Sequence, residues 1–97
     1  MLRPVLLTDT ELDTALASLS GWKRESDRLL KTFVFADFVE AWAWMCRVAL
    51  VAEKKDHHPE WSNVYKTVKV ELTTHDARGI TLLDIELAKT MNSFAQK

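Results

Sequence analysis

An α+β fold with an antiparallel sheet is predicted by three features of the 97-residue sequence. At three places a threonine or aspartate is followed three positions later by an acidic residue and then by apolar residues at helical spacing. Between these stretches lie segments rich in β-branched and aromatic residues. The predicted order is helix, strand, strand, helix, one or two strands, helix. Such an order favours a sheet that buries one face beneath the helices.

The first helix is predicted over residues 8–20. Its Thr8 hydroxyl can accept a hydrogen bond from a first-turn amide while the Glu11 side chain reaches back to the Thr8 amide. Gly21 is suited to end this helix. From residue 22 to residue 35 the pattern changes, and the sequence ESDR is a turn candidate within it. Two antiparallel strands joined by that turn are therefore predicted.

The second helix is predicted from Asp37 to about Lys55. Pro59 disfavours helical backbone in the residue before it, so the helix must end by about His57. Its apolar face is expected to consist of Phe38, Trp42, Met45, Cys46, Ala49 and Ala52. The single cysteine, Cys46, is expected to be a core residue rather than a nucleophile.

Two tryptophans in this helix have different expected environments. Trp42 and Trp44 are two positions apart, so they cannot both face the same core. Either one lies at a subunit interface, where tryptophan is enriched, or both are buried at the flanks of the helix.

The stretch SNVYKTVKVELTTH predicts further strand structure because apolar and polar residues alternate in it. The even-numbered positions of this stretch include Val64, Val68, Val70, Leu72 and Thr74. One long bent strand and two short strands that meet near Lys66 both fit this pattern. Gly79 then provides a turn, and Thr81 with Asp84 predicts the start of a final helix.

Composition and charge limit the classes of function. The formal net charge is -1 and the charged residues are spread along the chain, which argues against binding nucleic acid or anionic lipid. The longest apolar tract, residues 33–52, is interrupted by Asp37, Glu40 and Arg47, which favours an amphipathic helix over a membrane span. One cysteine cannot form an internal disulfide and suits a reducing compartment. We therefore expect a single cytoplasmic domain over residues 1–97.

The three histidines are the candidates for chemistry because all of them lie near the ends of predicted elements. His57 and His58 follow the long helix and His75 follows the last strand, where a rigid scaffold can expose reactive groups. Glu53 lies four residues before His57, so on a helix the two would point the same way and the carboxylate could fix the imidazole tautomer. Other nearby carboxylates are those of Asp56, Asp76 and Asp84.

Acid-base catalysis and structural capping both fit these histidines. An imidazole that titrates near neutral pH can take up and release protons. A histidine at the end of a helix also interacts favourably with the helix dipole, so the pair before Pro59 could simply cap the helix. A zinc or iron site is a third interpretation, but the sequence has no HxH or HExxH spacing that would favour it.

The sequences EKKDHHPEWSNVY, LTTHDARGIT and DIELA resemble the signature of the pterin-4a-carbinolamine dehydratase family, over roughly residues 38–88. The resemblance implies a four-stranded antiparallel sheet with three helices on one face, and a homodimer or homotetramer. It implies dehydration of 4a-hydroxytetrahydrobiopterin, or a related 4a-hydroxytetrahydropterin, to the quinonoid dihydropterin. This step follows the action of an aromatic amino acid hydroxylase such as phenylalanine hydroxylase, and it needs no metal or other cofactor.

The resemblance also assigns the site. The catalytic positions fall on His57, His58 and His75; we expect His58 and His75 to handle protons and His57 to shape the pocket. The substrate-binding positions fall on Glu53, Asp56, Trp61, Thr73, Thr74 and Asp84. Asp84 is also expected to serve in the Thr81 cap. The alternative to catalysis is a non-catalytic dimerisation or binding module, but such a module has no reason to retain all of these groups.

Overall fold

The computed structural model describes residues 4–96. Its helices are α1 (Asp9–Ala17), α2 (Phe38–Lys55) and α3 (Leu82–Ala95), and its strands are β1 (Lys23–Glu25), β2 (Arg28–Val34), β3 (Glu60–Val64) and β4 (Thr67–Leu72). A short 3-10 helix spans His75–Ala77. The order predicted for the elements is confirmed, and the last strand region consists of two strands rather than one. The predicted domain covers residues 1–97, and of these residues 1–3 and 97 lie outside the described part of the chain.

The four strands form one antiparallel sheet in the order β1-β2-β4-β3. Inward-facing side chains alternate along the two central strands and belong to Leu29, Phe33, Val68, Val70 and Leu72. The same core includes Leu12 of α1, Trp44 and Val48 of α2, and Leu87 and Met91 of α3. One sheet face thus packs against all three helices, while polar side chains occupy much of the other. The predicted α+β architecture is therefore confirmed.

The hairpin between β3 and β4 determines the sheet face on which Val64 lies. Val64 pairs with Thr67, so these two residues share a face, whereas Val68 points to the other side. The turn contains Tyr65 with a positive φ of 54°. Because this turn reverses the chain, Val64 lies on the exposed face although it shares the sequence parity of buried Val68.

Helix α2 buries a face that differs from the predicted one except at Ala52. Its buried residues are Ala41, Trp44, Val48 and Ala52. Phe38 is 47% exposed, Trp42 is 54% exposed and Cys46 is also exposed. The prediction of a core Cys46 is wrong, as is the alternative in which both tryptophans are buried. Apolar residues lie on both sides of this helix, so their spacing does not identify the side that meets the sheet.

The predicted helix starts are present. Thr8 and Glu11 form a capping box, and the Asp37 side chain accepts a 2.8 Å hydrogen bond from the Glu40 amide. Helix α1 ends at Ala17, before the predicted end at residue 20. Across residues 4–96, none of the helices combines the length and the apolar character needed to cross a bilayer.

Candidate active site

The end of α2 directs its two neighbouring histidines in different directions. Asp56 adopts the left-handed conformation, with φ 51°. The His57 amide then donates to the Ala52 carbonyl at 3.0 Å and the Asp56 amide donates to the Glu53 carbonyl at 3.2 Å. This Schellman arrangement closes the helix with backbone groups. As a result His57 is buried, whereas the side chain of His58 is 56% exposed.

The buried His57 is bound to a fully buried carboxylate. Its Nε2 lies 2.6 Å from Oδ1 of Asp84. The other oxygen, Oδ2, accepts hydrogen bonds from the Thr81 amide at 2.9 Å and the Thr74 hydroxyl at 2.8 Å. Asp84 thus completes the capping box at the start of α3 and also fixes the His57 ring. Several donors around one carboxylate offset the cost of burying its charge.

The Thr74 hydroxyl belongs to a short chain of hydrogen bonds that supports Asp84. Because it donates its single proton to Asp84, it accepts from the Thr81 hydroxyl 2.8 Å away. The Thr81 oxygen in turn accepts from the Leu83 amide at 3.2 Å. Thr74 therefore holds the Asp84 carboxylate in position, and its proton is not available to a ligand.

The exposed His58 pairs with Glu53, which the sequence associated with His57 instead. His58 Nε2 lies 2.8 Å from Glu53 Oε1. The helical spacing that would place Glu53 beside His57 ends at Lys55, and the left-handed Asp56 turns His57 inward. His58 comes next in the chain and meets the Glu53 carboxylate.

His75 begins the 3-10 helix and lies beside a carboxylate that sequence reasoning missed. Its Nε2 is 3.7 Å from Oε2 of Glu60, and its side chain is 77% exposed. The same Glu60 oxygen accepts a 2.7 Å hydrogen bond from Arg28. This hydrogen bond raises the pKa of the Arg28 guanidinium above its ordinary value. The available signal was the position of Glu60 within HHPEW, but the sequence alone does not show that β2 brings Arg28 to it.

The three histidines line one open pocket of about 1050 Å³, together with Asp56, Thr73 and Thr74. Glu53 contacts the pocket residue His58, and Asp84 contacts the pocket residue His57. Each imidazole lies beside a different carboxylate. Within residues 4–96 no group of three or more potential ligands is arranged to hold a metal ion.

Trp61 lies outside this pocket wall. It projects from β3 toward the core, with its ring centroid 6.0 Å from that of Trp44, and it is not among the lining residues. In this structure the Trp61 ring packs against another aromatic side chain of the core. Its place among the substrate-binding positions stays a prediction.

The pocket has an apolar wall that the sequence did not indicate. Val5 and Leu6 come from the segment before α1, and Leu82 comes from the first turn of α3. Leu6 forms an isolated β-bridge with Thr81, which holds this segment beside α3. The pocket thus combines an apolar wall with three imidazole–carboxylate pairs, a composition suited to a small polar heterocycle.

These features define a small α+β protein with a pocket lined by three imidazole side chains. A family model described as pterin 4 alpha carbinolamine dehydratase matches residues 5–94. The chain therefore belongs to the pterin-4a-carbinolamine dehydratase family, which confirms the resemblance seen in its motifs.

Relatives and solved structures agree with this assignment. The chain is 58% identical over 91 residues to a protein of Rhodopseudomonas palustris (strain BisB18) named "Putative pterin-4-alpha-carbinolamine dehydratase", covering 92% of this chain and 90% of that protein. A protein of the same name from Bradyrhizobium diazoefficiens is 58% identical over 92 residues, covering 93% and 92% of the two chains.

Two solved structures share the fold. The crystal structure of a transcriptional coactivator/pterin dehydratase from Brucella melitensis superposes with a TM-score of 0.91 at 44% identity, covering 93% of this chain and 98% of that chain. A pterin dehydratase-like protein, identified as a RuBisCO assembly factor in the alpha-carboxysome, has a TM-score of 0.65 at 17% identity, with 78% and 88% coverage. The second likeness concerns the fold alone.

Proposed function

We propose that this protein dehydrates 4a-hydroxytetrahydrobiopterin, or a related 4a-hydroxytetrahydropterin, to the quinonoid dihydropterin and water. The observation that carries this proposal is the set of three imidazoles around one pocket, each beside its own carboxylate. Family membership supplies the substrate class.

The reaction requires two proton transfers. The bond between carbon 4a and oxygen breaks as the hydroxyl takes up a proton and leaves as water. A ring nitrogen loses its proton as a carbon–nitrogen double bond forms. One protonated and one neutral imidazole can carry out these transfers without a covalent intermediate.

His58 and His75 are the proposed proton-handling pair. Both side chains are more than half exposed at the pocket, so a substrate can reach their ring nitrogens. His57 has its Nε2 bound to buried Asp84, and its proposed role is to shape the pocket and hold the substrate. A carboxylate beside each imidazole can select its tautomer and orient its ring.

Thr73 and Asp56 are the proposed polar contacts for the pterin. Thr73 lines the pocket and donates its hydroxyl proton to the Asp27 carbonyl at 2.9 Å, so its oxygen can still accept a hydrogen bond. Asp56 is exposed at the pocket wall and offers a carboxylate acceptor. A pterin carries ring N–H groups that suit both acceptors.

We propose further that the protein forms a homodimer or homotetramer. The observation that supports assembly is the outward side of α2, where Phe38, Val39, Trp42 and Leu50 are all exposed. Exposed apolar residues grouped on one helix mark a candidate interaction surface. The same surface is the observation in favour of the second candidate function, a non-catalytic dimerisation or binding module.

The proposed setting is the cytoplasm, where the product of an aromatic amino acid hydroxylase such as phenylalanine hydroxylase would be the substrate. The single free cysteine is compatible with a reducing compartment. This link can be tested by adding the protein to a hydroxylase assay and following accumulation of the 4a-hydroxy product.

The deciding experiment follows freshly generated 4a-hydroxytetrahydropterin by ultraviolet absorbance with and without the protein. We expect disappearance of the substrate to accelerate in proportion to protein concentration. A correctly folded sample that leaves the spontaneous rate unchanged would refute the dehydratase proposal and favour the binding module.

A further inference from the structure

Glu60 connects His75 to the polar face of the sheet. It is the first residue of β3, and its Oε2 lies 3.7 Å from His75 Nε2 and 2.7 Å from an Arg28 guanidinium nitrogen. Glu60 and His75 line the pocket. Arg28, the first residue of β2, reaches Glu60 from across the intervening strand β4.

The position of Arg28 is explained by the charges around it. Glu60 and Glu71 are direct cross-strand partners, so their like charges would repel each other. Arg28 lies 2.7 Å from Glu60 and 3.5 Å from Glu71, and it therefore compensates both carboxylates. Its charge-assisted hydrogen bond also restricts the rotation of the Glu60 side chain.

The other two histidines are each paired with a carboxylate, and Glu60 is the corresponding carboxylate for His75. His57 and His58 each have a carboxylate oxygen within 2.8 Å of Nε2. The corresponding distance from His75 to Glu60 is 3.7 Å. Catalytic contacts in a ligand-free site are often longer than in the substrate complex.

We propose that Glu60, held by Arg28, is a positioning residue for His75 in the dehydration reaction. Glu60 holds the His75 ring in the tautomer that carries its proton on Nε2. The Nδ1 atom is then the nitrogen that exchanges a proton with the substrate. This inference rests on the proposed dehydratase function, and it adds two residues, Arg28 and Glu60, to the site that the sequence predicted.

A purely structural role for the cluster makes a different prediction. If Arg28 and Glu60 only balance charge on the sheet, then Glu71 should matter as much as Glu60, because Arg28 contacts both. Glu71 is therefore the matched control: it shares the arginine and the cross-strand pair, but among residues 4–96 the ion-pair partner of His75 is Glu60 and not Glu71.

The kinetic test compares Glu60→Gln, Glu71→Gln, Arg28→Gln and Arg28→Lys with the wild type. We expect Glu60→Gln to lower kcat roughly threefold with KM little changed, which is the size of effect expected of a partly exposed pair. Arg28→Gln should lower kcat by a smaller factor, Arg28→Lys should recover part of that loss, and Glu71→Gln should match the wild type. An unchanged kcat in Glu60→Gln, or an equal loss in Glu71→Gln, would overturn the inference.

A double-mutant comparison links the effect to His75. In the His75→Ala background, Glu60→Gln should cause no further loss of rate, because the residue it positions is gone. A threefold loss that persists in that background would show that Glu60 acts elsewhere. Far-ultraviolet circular dichroism and thermal unfolding confirm that each variant is folded.

A spectroscopic readout separates this inference from the proposed function. The ¹⁵N shifts of the neutral His75 ring report the fraction of protein with its proton on Nε2, without any substrate. We expect that fraction to fall in Glu60→Gln and to stay at the wild-type value in Glu71→Gln. If wild-type protein has no dehydratase activity but this change occurs, the proposed function fails while the positioning of His75 by Glu60 stands. An unchanged tautomer fraction in Glu60→Gln would overturn the positioning itself.

Discussion

The Nε2 atom of His57 lies 2.6 Å from Oδ1 of Asp84, a residue 27 positions away in the sequence. The same carboxylate caps α3 through its other oxygen, which accepts from the Thr81 amide. One buried side chain therefore joins the end of α2, the start of α3 and the pocket. Changes at either residue should affect both the stability of the protein and the geometry of the site.

Asp84→Ala is expected to lower the free energy of unfolding by about 3–5 kcal/mol. Losing the acceptor for the Thr81 amide, which is the capping contact of α3, contributes about 1 kcal/mol. Leaving the buried Thr74 hydroxyl and the His57 ring without their acceptor contributes the remainder. Urea unfolding measures this loss. The control is Asp13→Ala, an exposed carboxylate in α1, which should change stability by less than about 0.5 kcal/mol. Equal effects of the two substitutions would contradict the role given to Asp84.

His57→Ala should reduce stability, whereas His75→Ala should leave it nearly unchanged. His57 is buried against the Asp84 carboxylate, so its removal leaves a buried charge with fewer partners, at a cost of about 3 kcal/mol. His75 is 77% exposed and contributes little to packing. Thermal and urea unfolding of the two variants, measured side by side, test this difference. If His75→Ala lowered the free energy of unfolding as much as His57→Ala does, His75 would have a structural role that its exposure does not indicate.

His58→Ala and His75→Ala should each lower kcat by about two orders of magnitude or more while the protein remains folded. Both imidazoles reach the pocket from its surface, and the change removes a proton-transfer group without opening the core. Substrate disappearance followed by ultraviolet absorbance gives the rates. Lys54→Ala, at another residue lining the same pocket, is a control for the loss of a polar side chain there. If neither histidine variant loses activity, the pair assigned to proton transfer is wrong.

Sequence reasoning identified the elements of this fold because each begins or ends with a local signal. Thr8, Asp37 and Thr81 act through residues three positions away or fewer, so the helix starts could be predicted. The buried side of α2 could not be predicted, because both sides of that helix are apolar and only the position of the sheet selects between them.

The same difference between local and distant contacts applies to the site. His57, His58 and His75 were found through their motifs, and the structure brings them to one pocket. The partners of the histidines were harder to find. Helical spacing paired Glu53 with His57. The left-handed Asp56 ends the helix before His57, so His57 turns inward and Glu53 pairs with His58. The contact between Glu60 and His75 depends on how β3 approaches the end of β4, which no local pattern encodes.

The adjacent Thr73 and Thr74 should respond differently to replacement by valine. Thr74→Val removes the hydroxyl that donates to buried Asp84, and it should lower the free energy of unfolding by about 1–3 kcal/mol. Thr73→Val removes a pocket hydroxyl that donates to the Asp27 carbonyl and not to a buried carboxylate, so we expect a rise in KM with a smaller loss of stability. Thr32→Val, on the exposed side of β2, is the control. Similar KM values for Thr73→Val and the wild type would remove Thr73 from the proposed pterin contacts.

Trp42→Glu tests whether the outward side of α2 is the assembly surface. Trp42 is 54% exposed and stacks on Phe38, with ring centroids 6.2 Å apart, so a charge there should disrupt association without disturbing the core. We expect light scattering to show a smaller assembly for Trp42→Glu and an unchanged mass for Val34→Glu, an exposed apolar residue at the end of β2. Burying an unpaired carboxylate in an apolar interface is costly, which gives the expected direction. If wild type and Trp42→Glu have the same mass, then this side of α2 does not hold the subunits together. Retention of dehydratase activity by a monomeric Trp42→Glu variant would show that one chain supplies every residue the reaction needs.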